Sequence, residues 1–140
     1  MEKIINKLKE KNIKITPQRI AIIEYLLNTK SHPSADDIYK EIIKKYPSMS
    51  YATVYNTLIT LKNLGEVVEL AIDSEKKRFD MDTSLHHHFY CTKCKKIFDI
   101  NKNFIIEANT NLDGHKIERT FLNFIGICNI CLKEEDKKYE

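Results

Sequence analysis

The stretch Ser50-Tyr51-Ala52-Thr53-Val54-Tyr55-Asn56-Thr57-Leu58-Ile59-Thr60-Leu61-Lys62-Asn63-Leu64-Gly65, continued by Glu66-Val67-Val68-Glu69-Leu70-Ala71-Ile72 and Lys77-Arg78-Phe79-Asp80, decides the fold. Val54, Leu58 and Leu61 recur at i, i+4 and i+7, so the first part predicts a helix with one apolar face, and Gly65 is placed to end it. Residues 66–72 read as a strand, 73–76 as a turn and 77–80 as the returning strand. Two more helix starts precede this run. Ser34 is followed by Asp36 and Asp37, favourable in a first turn, and by the stripe Ile38 and Ile42. Thr16-Pro17 supplies an N-cap and an N1 proline, with Ile20, Ile23, Leu26 and Leu27 expected on one face. Three short helices and a β-hairpin, in that order, form a winged helix-turn-helix whose third helix enters the major groove.

The polar side of that third helix suits the role. Ala52, Asn56 and Asn63 lie opposite Val54 and Leu58, Tyr51, Thr53 and Tyr55 flank them, and no acid occurs from Ser50 to Gly65. Asn bonds adenine in two places, Tyr packs on a thymine methyl, and the hydroxyls of Ser50 and Thr53 reach phosphates. An ordinary solvated helix face is the alternative. Charge bears on the choice: residues 1–65 carry 11 Lys+Arg against 6 Asp+Glu, whereas residues 66–140 carry 12 against 14, so the cations cluster in the front half. Lys14 and Arg19 bracket the first helix start, where a duplex backbone would run.

The chain has four cysteines, Cys91, Cys94, Cys128 and Cys131, in two Cys-x-x-Cys pairs. Two such knuckles supply the ligands of a closed tetrahedral zinc site. The gap between them has room for a strand, a helix and another strand. A redox motif or a disulfide set is the rival reading; a redox Cys-x-x-Cys opens a helix after a strand, whereas Thr92-Lys93 and Asn129-Ile130 close apolar or β-rich runs. The length suits one domain or two very small ones. No apolar run has membrane-spanning length and Met1-Glu2-Lys3-Ile4 lacks a signal-peptide stretch, so a cytoplasmic protein is expected, a compartment that favours metal-bound thiols.

His86-His87-His88 is the second chemical constellation. On a strand, His86 and His88 share a face and His87 points away. Asp80, and Asp99 on the expected strand 96–100, would complete a His/carboxylate set of the kind that takes Fe(II), Mn(II) or Zn(II). A solvated histidine run is the alternative, and His32 before Pro33 reads locally as a loop histidine.

Taken together, Ile15-Thr16-Pro17-Gln18-Arg19, His32-Pro33-Ser34-Ala35-Asp36-Asp37-Ile38-Tyr39, Ala52-Thr53-Val54-Tyr55-Asn56-Thr57-Leu58, His86-x-His88, Cys91-x-x-Cys94 and Cys128-x-x-Cys131 closely resemble the ferric-uptake regulator family. The resemblance leaves little unmatched beyond Lys133 to Glu140. It implies a homodimeric, metal-activated transcriptional repressor, not an enzyme, of α+β class. Residues 1–80 would be the winged-helix DNA-binding domain, 81–84 a hinge, 85–133 a zinc-stabilised α/β dimerisation domain and 134–140 a charged tail. The cysteines would hold structural Zn(II). Regulatory Fe(II) or Mn(II) would lie on His32, Asp80, His86, His88 and Asp99. Tyr55 and Asn56 would contact bases and Lys14 a minor groove or phosphate, on double-stranded DNA carrying an AT-rich inverted repeat.

One carboxylate turns the subgroup. Iron-sensing members typically carry Glu where this chain has Asp99, and peroxide-sensing members carry Asp. The shorter acid would leave the Fe(II) shell open to peroxide, whose cleavage would oxidise His32 or His86 to 2-oxo-histidine and release the metal and the DNA. Leu85 and Thr120 stand where iron sensors often have His, and a weak extra metal site on His87 and His115 is a further option. An iron- or zinc-supply sensor of the same family, and a zinc-dependent hydrolase from another class, are the competing readings.

Overall fold

Thr16, Ser34 and Ser50 each close a helix start with their own side chains. In a computed structural model of the protein, which describes residues 1–104 and 112–139, the Thr16 hydroxyl accepts from Arg19 N–H at 3.2 Å and the Ser50 hydroxyl from Thr53 N–H at 3.1 Å. Ser34 and Asp37 form a reciprocal capping box. The resulting helices are α2 (Pro17–Asn28), α3 (Ala35–Lys45) and α4 (Tyr51–Asn63). Gly65, at φ +73°, ends α4 in a Schellman turn: its N–H bonds the Lys62 carbonyl and Glu66 N–H bonds that of Leu61.

A fourth helix precedes these three, α1 (Glu2–Glu10), burying Ile4 and Leu8. The i, i+4 spacing of those residues, with Glu2 in the first turn and Lys7 and Lys9 in the last, was its sequence signal, and no capping side chain marks its start. The stripe expected on α2 is corrected in one place. Ala21, Ile22, Ile23 and Leu26 are buried, but Leu27 is 42% exposed, because the buried arc is centred on Ile22, Ile23 and Leu26.

The hairpin is shorter than the sequence indicates, with β1 (Val68–Leu70) antiparallel to β2 (Arg78–Asp80) and Glu69 opposite Phe79. Asp73 starts the turn by accepting Glu75 N–H at 2.9 Å. One apolar core, from Ile4 and Leu8 through Ile22, Ile38, Val54, Leu58 and Leu61 to Phe79, joins helices and hairpin. This is the winged helix, within a unit spanning Met1–Thr83.

The second unit is Ser84–Glu140. Its sheet has order β4-β3-β5: β3 (His87–Cys91) pairs antiparallel with β4 (Ile97–Ile100) and parallel with β5 (Asn123–Gly126). Helix α5 (Asn129–Lys138) follows, so most of the segment 134–140 is helical. The helix for which the gap between the cysteine pairs has room is absent from 101–104 and 112–122; residues 105–111 lie outside those described.

Candidate metal centres and nucleic-acid interface

The turn between β3 and β4 carries the first cysteine pair, and the step from β5 to α5 carries the second. Lys95, at φ +64°, lets the chain fold back so that Lys95 N–H reaches the Cys91 carbonyl at 2.9 Å. Cys91 and Cys131 sulfurs are 3.9 Å apart, as are those of Cys94 and Cys128, and all four Sγ atoms lie within 4.8 Å of one another. A disulfide needs about 2.05 Å. Four thiolates at about 2.3 Å from a tetrahedral zinc would be about 3.8 Å apart, so the spacing fits zinc.

Electrostatics point the same way. Burial alone would raise the Cys91 thiol, but the N–H groups of Cys94 and Cys128 aim at its sulfur, from 3.5 and 3.3 Å, and lower it to about 6. Cys131 is pushed up to about 12 by burial and by the surrounding sulfurs. Four thiolates cannot share this volume as bare anions. A divalent cation at their centre removes that cost. One argument from the sequence is corrected here: Cys128 is the N-cap of α5, directly after a strand, so the second pair does open a helix as a redox motif would. The convergence of four sulfurs, rather than the placement of either pair, makes this cluster a candidate metal site.

In the second unit, the register of β3 and β4 sets His88 opposite Asp99. His88 Nε2 lies 3.4 Å from Asp99 Oδ1, and His86 Nε2 lies 3.2 Å from the same oxygen. His86 precedes the strand rather than lying in it, yet shares a side with His88, their ring centroids 4.5 Å apart. With Nδ1–H of His86 given to the Ser84 carbonyl at 2.8 Å, a neutral ring turns a lone pair toward the carboxylate. A shared cation satisfies both groups. His87 points away, as expected, and its Nδ1 accepts Leu122 N–H at 3.0 Å while the ring meets Phe104 edge-on. His115 is exposed.

In the first unit, His32 is 5% exposed, so it is no solvated loop histidine. Its Nε2 lies 3.3 Å from Asp80 Oδ2. Its φ of +51° is left-handed, a conformation that costs a non-glycine residue roughly 1–3 kcal/mol and that often marks a functional position.

The DNA-facing candidates sit on α4 and at the start of α2. Ala52, Tyr55 and Asn56 are exposed, while Val54, Thr57, Leu58 and Leu61 are buried beneath them. Ser50 and Thr53 share a 2.8 Å hydroxyl hydrogen bond within the cap. Tyr51, though 46% exposed, packs edge-on against Tyr39. Lys14 is exposed, and the Arg19 guanidinium donates to the Lys14 carbonyl.

The profile of the Ferric uptake regulator family matches residues 10–124. The chain belongs to the ferric uptake regulator family. Among its relatives is the "Peroxide operon regulator" of Bacillus subtilis, 41% identical over 97% of this chain and 96% of the relative. PerR from Streptococcus pyogenes, solved in a study of its peroxide sensing and gene regulation, is 34% identical with a TM-score of 0.56, over 93% of this chain and 91% of that one. The ferric uptake regulator Fur of Helicobacter pylori superposes with a TM-score of 0.76 over 94% and 90% of the two chains; at 20% identity that likeness speaks to the fold.

Two residues linked to His32 gave no sequence signal. Asp73 read as a turn residue and Arg78 as a strand residue. Both side chains are buried, paired at 3.0 Å through Arg78 Nη2, and Arg78 Nη1 donates to the His32 carbonyl at 3.2 Å. Only the tertiary approach of residue 32 to the hairpin reveals them.

Proposed function

We propose that this chain is a homodimeric repressor that binds an AT-rich inverted repeat of double-stranded DNA in the cytoplasm while Fe(II) or Mn(II) is held, and releases it when hydrogen peroxide oxidises a ligand histidine. Asp99 carries the reading. One oxygen of this short carboxylate addresses both His86 and His88, in a chain whose relatives include a peroxide operon regulator. The ligands would be His32 and Asp80 from the first unit and His86, His88 and Asp99 from the second. Residues 81–84 would be the hinge between them. A cation bound by both sets favours one arrangement of the two recognition helices, which links metal affinity to DNA affinity.

Fe(II), when held by these residues, would supply the redox chemistry; His32 or His86 would exchange the hydrogen on an imidazole carbon for one oxygen of peroxide, the other oxygen leaving as water. The oxidised ring is a poorer ligand. Zn(II) on Cys91, Cys94, Cys128 and Cys131 would keep the second unit folded, and the exposed Phe124 and Ile125 on β5, an edge strand, offer apolar surface to a second copy. On DNA, Tyr55 and Asn56 would read bases while Lys14, Arg19, Ser50 and Thr53 hold the backbone.

Peptide mapping after peroxide tests this. The Fe(II) form should gain the mass of one oxygen at His32 or His86 and lose operator binding, with the Mn(II) form unmodified and still bound. Asp99→Glu should keep metal-dependent DNA binding and blunt the oxidation. Oxygen on the cysteines, or equal oxidation of the two metal forms, would leave a metal-supply sensor instead.

A further inference from the structure

His32 occupies a left-handed conformation immediately before Pro33, a combination that its own sequence disfavours. Three successive residues of β2 hold it there. Phe79 N–H points away from β1 and donates to the Pro33 carbonyl at 2.9 Å. Arg78 and Asp80 share the opposite face of the strand from Phe79, whose side chain is buried in the core. Asp80 Oδ2 meets the His32 ring at 3.3 Å, and Arg78 Nη1 donates to the His32 carbonyl at 3.2 Å. The guanidinium is itself fixed, through Nε at 3.2 Å and Nη2 at 3.0 Å, by one oxygen of Asp73. Asp73 is anchored in turn by Glu75 N–H, and both side chains of the pair are at most 7% exposed.

We infer that Arg78 and Asp73 are positioning residues for the regulatory metal: the pair grips the His32 backbone and sets its imidazole toward Asp80 before any ion arrives. The inference rests on the reading of His32 and Asp80 as ligands. Its chemical basis is the fork of the guanidinium, which spans a carboxylate and a carbonyl at once. A lysine ammonium in its place keeps the charge opposite Asp73 but lacks the planar reach to His32. Groups that orient a ligand histidine typically set metal affinity by about 10–100-fold without touching the ion. The guanidinium reaches the His32 carbonyl, so the pair would act by preorganising the residue that carries the ring.

The test uses the full-length, zinc-loaded protein and Mn(II) as probe, comparing wild type, Arg78→Lys, Asp73→Asn and His32→Ala. Arg78→Lys should weaken Mn(II) binding about 10-fold or more. In the manganese-free protein its Phe79 amide should exchange faster, while zinc content and the exchange of β3 amides stay at wild-type values. Should Arg78→Lys fail to fold, Asp73→Asn carries the test, because Asn keeps the oxygen that accepts Glu75 N–H and loosens only the guanidinium. Wild-type Mn(II) affinity in Arg78→Lys or Asp73→Asn, with or without a lower melting temperature, would overturn the inference and leave the pair a purely structural ion pair. Unchanged Mn(II) affinity in His32→Ala would instead overturn the ligand reading on which the inference stands.

Discussion

In Met1–Thr83 the buried residues are mainly aliphatic and come from all four helices and the hairpin, whereas among the described residues of Ser84–Glu140 a buried cluster is built on Cys91, Cys128 and Cys131 with Phe89 and Phe98 packed against it, and Tyr90 and Ile97 are buried besides. The second unit leaves much of its hydrocarbon outside: Leu85, Phe121, Ile125 and Ile130 are each more than half exposed. A unit of this size is marginal on hydrocarbon burial alone, so a bound metal would add a large share of its stability. The two halves therefore solve the same problem by different chemistry. Perturbations should separate them.

The largest effect should come from Cys128→Ser. An apparent binding free energy on the order of 10 kcal/mol ties a four-thiolate zinc to folding. Removing one ligand should release the metal, unfold the second unit and abolish dimerisation, while the first unit keeps its own cooperative thermal transition. Zinc content, gel filtration and amide exchange read these three outcomes. A reduced, zinc-free protein that still dimerised would collapse the contrast between the units.

Leu58→Ala is the counterpart in the first unit. Leu58 is 0% exposed on the inner face of α4, so its truncation should cost about 2–5 kcal/mol, read by denaturant unfolding, and leave zinc content untouched. The outer face of the same helix should behave otherwise. Asn56→Ala should change stability by no more than about 0.5 kcal/mol, yet relax discrimination at particular base pairs by about 1–3 kcal/mol, whereas Lys14→Ala weakens operator and random DNA alike. Equal losses on both DNAs for Asn56→Ala would remove it from the base readers.

The same contrast explains what could be read from the chain. Helix starts were legible because Thr16, Ser34 and Ser50 satisfy N–H groups within three residues of themselves, and the four cysteines because metal spacing is local. Helix α1 was missed because its start carries no capping side chain to mark it, although Ile4 and Leu8 are spaced for a helix. The Asp73, Arg78 and His32 linkage was hidden for a different reason: Arg78 and His32 are 46 positions apart, and nothing in either neighbourhood announces the other. His32 read as a loop histidine until the family resemblance placed it, since burial is a tertiary property. Placing Cys128 at a helix start required the structure as well, because no side chain caps α5.

The smallest effect, and the sharpest in its pH signature, belongs to the α3 capping box. Ser34→Ala removes the acceptor for Asp37 N–H and should cost about 1 kcal/mol, confined to the first unit. Burial alone would raise the Asp37 carboxyl, but the Ser34 N–H and hydroxyl, with Lys76 and Arg78 nearby, hold it below the usual carboxylate range. A carboxyl lowered in the folded state adds stability above its unfolded value, near pH 4, and that contribution fades as pH falls through the lower folded value. Loss of the Ser34 hydroxyl removes part of the lowering. The stability difference between wild type and Ser34→Ala should therefore be full at neutral pH and begin to shrink toward about pH 4, because the charge-dependent part of the cap is then being titrated away. Urea unfolding of the first unit at the two pH values measures it. A difference that stayed constant would assign the whole effect to the Asp37 N–H bond and none to its carboxylate.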